Sequence, residues 1–134
     1  MGFKSTCTLI KKYQSMCTDD RGHGIVLDLP PTKGGYDQGT SAVELAVESL
    51  NGCIVTIYSM KALQSKVKIE HMVCKMSAEM GEETISKVDA VLEIKSDADE
   101  SKLQDVLEQT LAACPVGVLF RKSGCEINVE IKKK

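Results

Sequence analysis

The stretch from Thr40 to Leu63, TSAVELAVESLNGCIVTIYSMKAL, constrains this chain more than any other. It reads as one long helix, with Ser41 as N-cap and Glu44 three residues on to complete a capping box. Its few polar positions, Glu44, Glu48, Asn51 and Ser59, fall near one line, and the remaining circumference is apolar or small. A helix greasy on most sides has to be covered, by a sheet or by a partner subunit. Val43, Val47, Leu50, Ile54 and Ile57 make a bulky stripe. Beside it Ala42, Ala46, Ser49, Cys53 and Thr56 make a stripe of small groups that leaves room at the Cys53 sulfur. From the residues alone that sulfur is open to two readings, a packing contact or a reaction site.

A chain of 134 residues and 14.6 kDa is expected to form a single domain over 1–134, small enough to gain from dimerisation. The net charge of −2 offers no general attraction to nucleic acid or to an anionic membrane surface. Aromatic residues are too scarce, at 4% with no Trp, to build a base-stacking platform. The apolar runs are too short for a membrane span. Six cysteines, at 7, 17, 53, 74, 114 and 125, point to a reducing compartment, the cytoplasm. None forms a CxxC pair, and the two histidines, His23 and His71, stand at no ligand spacing to them. No metal and no cofactor is expected.

In chain order, residues 3–18 read as two strands, then Asp19–Gly22 as a turn and His23–Leu29 as a third strand. Pro30–Gly35 marks a loop whose double glycine permits a close backbone approach or a left-handed turn. After the long helix, Lys66–Met76 alternates, with Val67, Ile69, His71 and Val73 on the expected inner face and His71 as a hydrogen-bonded core residue. Gly81–Glu83 is a turn. Lys87–Lys95 follows with Val88, Ala90, Leu92 and Ile94 inward. Ser96–Asp99 supplies capping groups for a second helix, whose face is Leu103, Val106, Leu107, Leu111 and Cys114. Pro115 either breaks that helix or opens a short new one, and in the second case Cys114 sits at a helix N-terminus, which favours a thiolate. Cys125–Ile131 is the last strand. The β-β-β-α-β-β-α-β order, with hairpins segregated from helices, indicates an α+β fold. Cys7, Cys17, Cys74 and Cys125 fall in strand patterns and read as packing residues.

The ordered set Gly22-His23, Asp28-x-Pro30-Pro31, Gly34-Gly35, the helix start at Ala42–Leu45, Gly52-Cys53 and Cys114-Pro115-Val116 resembles the OsmC and organic-hydroperoxide-resistance (Ohr) superfamily, nearest its short YhfA-like branch. The resemblance implies an OsmC-like fold in which two chains intertwine as a homodimer around their long helices. It also implies peroxide reduction by two cysteines. The residue matching Cys53 attacks the peroxide and becomes a sulfenic acid, and the residue matching Cys114 condenses with it to a disulfide. A dithiol reductant then reopens the pair.

The chain departs from the pattern in its charged residues. The hydroperoxide-resistance enzymes lower the thiol pKa with an arginine held by a glutamate, and here the glutamate position is Val43. On a regular helix Glu44 lies about 180° round from Cys53 and Glu48 about 140°, so neither replaces the missing carboxylate directly. Only two arginines are present. Arg21 stands roughly where the family's arginine arises and is the expected stabilising cation, reaching the partner's Cys53; its alternative is a plain surface turn residue. Arg121 reads as a helix C-terminal charge. Asn51, Glu48 and His23 are candidate binding residues. Two other functions compete: a non-catalytic homodimer that binds a small apolar or acyl ligand, and a slow redox sensor using the same disulfide.

Overall fold

The computed structural model describes residues 2–134. Among the described residues the fold is mixed α+β, with two three-stranded sheets and three helices; the order is the one read from the sequence with a short helix added after Pro115. By its internal contacts the chain divides into two compact units, 1–46 and 47–134.

In the first unit, β1 (Thr6–Lys11), β2 (Gln14–Thr18) and β3 (Gly24–Leu27) form an antiparallel meander. A short 3-10 turn at Pro31–Lys33 follows, ended by Gly34 in the left-handed region. Gly35 passes so close to the Leu29 carbonyl that a Cβ would collide with it. The double glycine therefore serves both purposes that Gly-Gly allows, a positive φ and a close approach. Asp28 organises this loop, its carboxylate accepting from the Leu29 and Gln38 amides at 2.7 and 3.1 Å. The capping box forms as expected: Glu44 N–H donates to Ser41 Oγ and Ser41 N–H to Glu44 Oε1. Cys7 is exposed rather than packed, because nothing in this unit covers that end of β1, whose residues are all exposed.

The long helix, α1, runs Ala42–Gln64. Within the second unit its buried stripe is Leu50, Ile54, Tyr58 and Ala62, an i, i+4 ridge. Leu50 and Ile54 continue the bulky stripe expected, with Val47 and Ile57 half-buried beside them. Val43 is a correction: it is 48% exposed. The ridge drifts round the helix because 3.6 residues per turn does not divide evenly into a step of four.

β4 (His71–Met80) and β5 (Ile85–Lys95) form an antiparallel hairpin, and β6 (Glu126–Lys133) pairs parallel to β5. The parallel pairing needs a crossover, supplied by α2 (Glu100–Ala113) and α3 (Pro115–Lys122). On β5, Val88, Ala90, Leu92 and Ile94 are buried as their alternation required. β4 is a correction. Val67 and Ile69 turn inward, but a bend at Glu70 shifts the phase by one residue, so that Met72, Cys74 and Met76 pack inward and His71 is exposed. A slip of one residue moves every later side chain to the opposite face. Leu92, Ile94, Leu103, Val106 and Leu107 close one cluster around Tyr58 and Ala62. Leu50, Ile54, Ile85, Val88, Cys114 and Cys125 make the other. Tyr58 Oη donates to the Leu103 carbonyl at 2.9 Å, so a fully buried hydroxyl is satisfied.

Among the described residues no helix is long and apolar enough to cross a membrane.

Candidate functional site

Cys114 occupies the joint between α2 and α3. Its N–H closes the last turn of α2 on the Thr110 carbonyl at 2.8 Å. Pro115 cannot donate, and a residue before proline is pushed out of the helical region, so the chain turns at Cys114 with ψ 109°. Of the two courses Pro115 allowed, the chain takes the second and opens α3. The Cys114 sulfur then acts as the N-cap of α3, accepting from the Gly117 N–H at 3.3 Å.

Cys53 projects from the middle of α1 onto that sulfur. The Cys114 thiol donates to Cys53 Sγ across 2.9 Å, against about 2.05 Å for a covalent disulfide. Cys114 is fully buried and Cys53 half-buried, and both are free thiols. Burial pushes the Cys114 thiol up to about 11, reinforced by the neighbouring Cys53 sulfur and opposed by the Gly117 and Val116 amides. At neutral pH Cys114 therefore keeps its proton and is the donor of this bond. Val47, Ile57, Val116 and Phe120 pack, as Cys53 does, against the apolar cluster that contains Cys114.

Arg121, read from the sequence as a helix C-terminal charge, stands in the last turn of α3, and its place near Cys114 is what that reading did not give. Its Nη2 donates to the Leu111 carbonyl at 3.0 Å, tying α3 back to the end of α2. A Cβ built on Gly117 would stand 3.4 Å from the Cys114 sulfur and 3.6 Å from Arg121 Nη1, so that nitrogen lies within about 7 Å of the sulfur. The signal was its position seven residues after Cys114, two turns along a helix and on the same face.

Arg21 and His23 belong to a different constellation, in the first unit. Asp19 Oδ1 accepts from the Arg21 and His23 amides at 2.8 and 3.2 Å, while Oδ2 takes His23 Nδ1 at 2.7 Å and Arg21 Nη2 at 3.5 Å. The Arg21 amide first, and then His23, hold the Asp19 carboxyl down to about 2. Both side chains are largely exposed. The i, i+2, i+4 spacing from an aspartate in a turn was the readable sign of this cluster.

Of the remaining candidates, Asn51 Nδ2 donates to the Cys74 carbonyl at 3.1 Å, pinning α1 to β4, and its buried Oδ1 has no partner among the described residues. Glu48 is exposed. Glu44 spends its carboxylate on the helix cap. Among the described residues no cluster of His, Cys, Asp and Glu has the makings of a metal site. An open depression of about 390 Å³ on the outer face of β4–β6, edged by Lys75, Asp89, Asn128 and Glu130, contains neither sulfur.

A family described as OsmC-like protein matches residues 35–130, a span that takes in both Cys53 and Cys114. The match is to the family at large and does not single out the YhfA-like branch. No curated protein matches the sequence. Among solved structures, an OsmC-like protein from Mycoplasma pneumoniae superposes with a TM-score of 0.87 at 16% identity, covering 99% of this chain and 97% of that one. An organic hydroperoxide resistance protein OsmC from Legionella pneumophila gives 0.77 at 13% identity, over 98% and 97%. One from Elizabethkingia anophelis, with thiocyanate bound, gives 0.77 at 16%, over 100% and 97%. At such identities these likenesses establish the fold alone. With a matched span of that length, the chain belongs to the OsmC-like protein family.

Proposed function

We propose that this protein is a thiol-dependent reductase of organic hydroperoxides, acting in the cytoplasm as a homodimer with Cys53 and Cys114 as its redox pair. The observation that carries the reading is the 2.9 Å between two sulfurs 61 positions apart in sequence. The Cys53 thiolate attacks one peroxide oxygen, the O–O bond breaks, and the alcohol leaves with the hydroperoxide's proton. Cys53 is then a sulfenate, and protonation makes it the acid. The Cys114 thiol attacks the oxidised sulfur, expels water and forms the disulfide. A dithiol reductant returns both thiols and is itself oxidised to a disulfide. The protonated state of Cys114, pushed up to about 11, suits it to hydrogen-bond to the Cys53 thiolate first and to resolve afterwards. The apolar cluster that contains Cys114, with Val47, Ile57, Val116 and Phe120 packed against it, favours an organic peroxide over hydrogen peroxide.

Val43 leaves the family's carboxylate position empty. Two arrangements compensate: Asp19 holds Arg21, which acts on the partner's Cys53, and Arg121 places a fixed charge beside the pair. Exposed apolar groups on each unit, Tyr13 and Tyr36 on the first and Met60 and Leu63 on the second, support the second copy.

The test is one equivalent of cumene hydroperoxide followed by non-reducing mass spectrometry. The expected product is a Cys53–Cys114 disulfide with one alcohol released per protomer. Unchanged thiols would overturn the reading and leave its rival, a non-catalytic OsmC-like dimer binding a small apolar or acyl ligand, which the absence of a carboxylate at Val43 favours. A disulfide that forms without sustained turnover on added dithiol would mark a slow redox sensor.

A further inference from the structure

The pairing of β1 with β2 sets Cys7 directly opposite Cys17. Directly opposed residues in an antiparallel pair have Cα atoms about 4.5 or 5.5 Å apart, depending on the type of site. Both values lie inside the window of about 4.4–6.8 Å that a disulfide spans. The side chains of opposed residues also leave the sheet on the same face. Two thiols in that register are therefore preset for a bond, and the hairpin, not a chance approach of loops, holds them there.

We propose that Cys7 and Cys17 form a second thiol–disulfide couple, one that exchanges with small disulfides of the glutathione class and works independently of Cys53 and Cys114. Cys7 is exposed and Cys17 half-buried, which assigns the first attack to Cys7. Its thiolate attacks one sulfur of the small disulfide, the S–S bond breaks, and one thiolate leaves. The Cys17 thiol, losing its proton to solvent, then attacks the Cys7 sulfur of the mixed disulfide and expels the second thiolate. The protein dithiol is oxidised and one small disulfide is reduced to two thiols. Hydrogen bonds from Cys17 and then Ser15 hold the Cys7 thiol below its ordinary value, while the bond to Cys7, burial and the nearby charge of Cys7 raise Cys17. That order matches attacker and resolver. An open cavity of about 370 Å³ in the same unit is bordered by Cys17, His23 and Leu45. An exposed disulfide of this kind is readily reduced again, the property of a reversible couple.

The experiment uses the full chain carrying Cys53→Ser and Cys114→Ser, so that failure of the peroxide-reductase reading has no bearing on the result. The folded variant is incubated with excess oxidised glutathione, alkylated and digested with trypsin without reduction. The expected product is peptide Ser5–Lys11 joined to Tyr13–Arg21, lost on treatment with dithiothreitol. With Cys17→Ser added, the reaction should arrest as a Cys7–glutathione adduct. Free, alkylated Cys7 and Cys17 under excess oxidised glutathione would overturn the proposal, as would separate glutathione adducts on both. A link between Cys7 residues of two chains would do the same.

Discussion

Cys114 does three things with one side chain: it caps α3, donates to Cys53 and stays protonated because it is buried. Its replacement by Ser keeps a cap but removes the resolving sulfur. Cys114→Ser is expected to consume about one equivalent of hydroperoxide and stop, leaving a Cys53 sulfenic acid that dimedone traps; sustained turnover would count against the pairing. Arg121→Gln removes a fixed charge within about 7 Å of the sulfur. The side chain is exposed, so screening limits its effect, and the expected loss in Cys53 oxidation rate is about fivefold at low salt, shrinking as salt is added. Stopped-flow rates at two ionic strengths check this. A third residue, Asp19, has its carboxyl held down to about 2. A group whose folded pKa is depressed stabilises the fold above its unfolded value near 3.9 and loses that contribution as pH falls through the folded value. Between about pH 4 and 2 the hairpin turn should therefore loosen, and Asp19→Asn should flatten this part of an acid titration followed by amide exchange at Arg21 and His23.

At the scale of elements, α1 is held by its i, i+4 ridge. Ile54 is completely buried among Val88, Cys114 and their neighbours, and Ile54→Ala is expected to cost about 3 kcal/mol in a urea melt, through lost burial and the cavity left behind. Tyr58→Phe removes a single buried hydrogen bond, the one that the Leu103 carbonyl accepts from outside its own helix, for about 1 kcal/mol. The capping box was legible because it is written within four residues, Ser41 to Glu44, and needs no tertiary partner. β5 was legible for a related reason: one strand buried on one face shows its period directly. β4 misled, since its alternation over Lys66–Met76 looked continuous while the backbone bends at Glu70. Period-2 patterning carries no mark of where a strand starts, so Val67 and Ile69 lent their phase to a strand that begins at His71.

For the whole molecule, the first unit sets the problem. In the first unit Tyr13, at the β1–β2 turn, is 51% exposed and Phe3, ahead of the sheet, 97% exposed, apolar surface that the three strands alone leave uncovered. On the second unit Leu63, at 80%, faces outward from the helix expected to be covered most. A second copy of the chain is the proposed cover. Light scattering after size exclusion should give about twice 14.6 kDa, and Leu63→Glu should shift the population toward monomer with peroxide turnover falling alongside. A monomeric wild-type protein would remove both the intertwined arrangement and the role given to Arg21.

The residues by themselves determined the element order, the α+β class, the helix cap, the glycine-built loop and the inward face of β5. Each is set by interactions a few residues apart, or by a period that burial imposes on one strand. The place of Cys53 and Cys114 as a pair came from the resemblance, not from spacing, because no local rule connects positions 61 apart. Only the tertiary structure decided that their sulfurs approach to 2.9 Å, that Arg121 lies across Gly117 from them, and that Cys7 faces Cys17. Those three juxtapositions are set by how α1 seats on α3, how α3 folds back on α2 and how a hairpin takes its register. Packing and pairing choose such geometry among many arrangements that the same local patterns would allow.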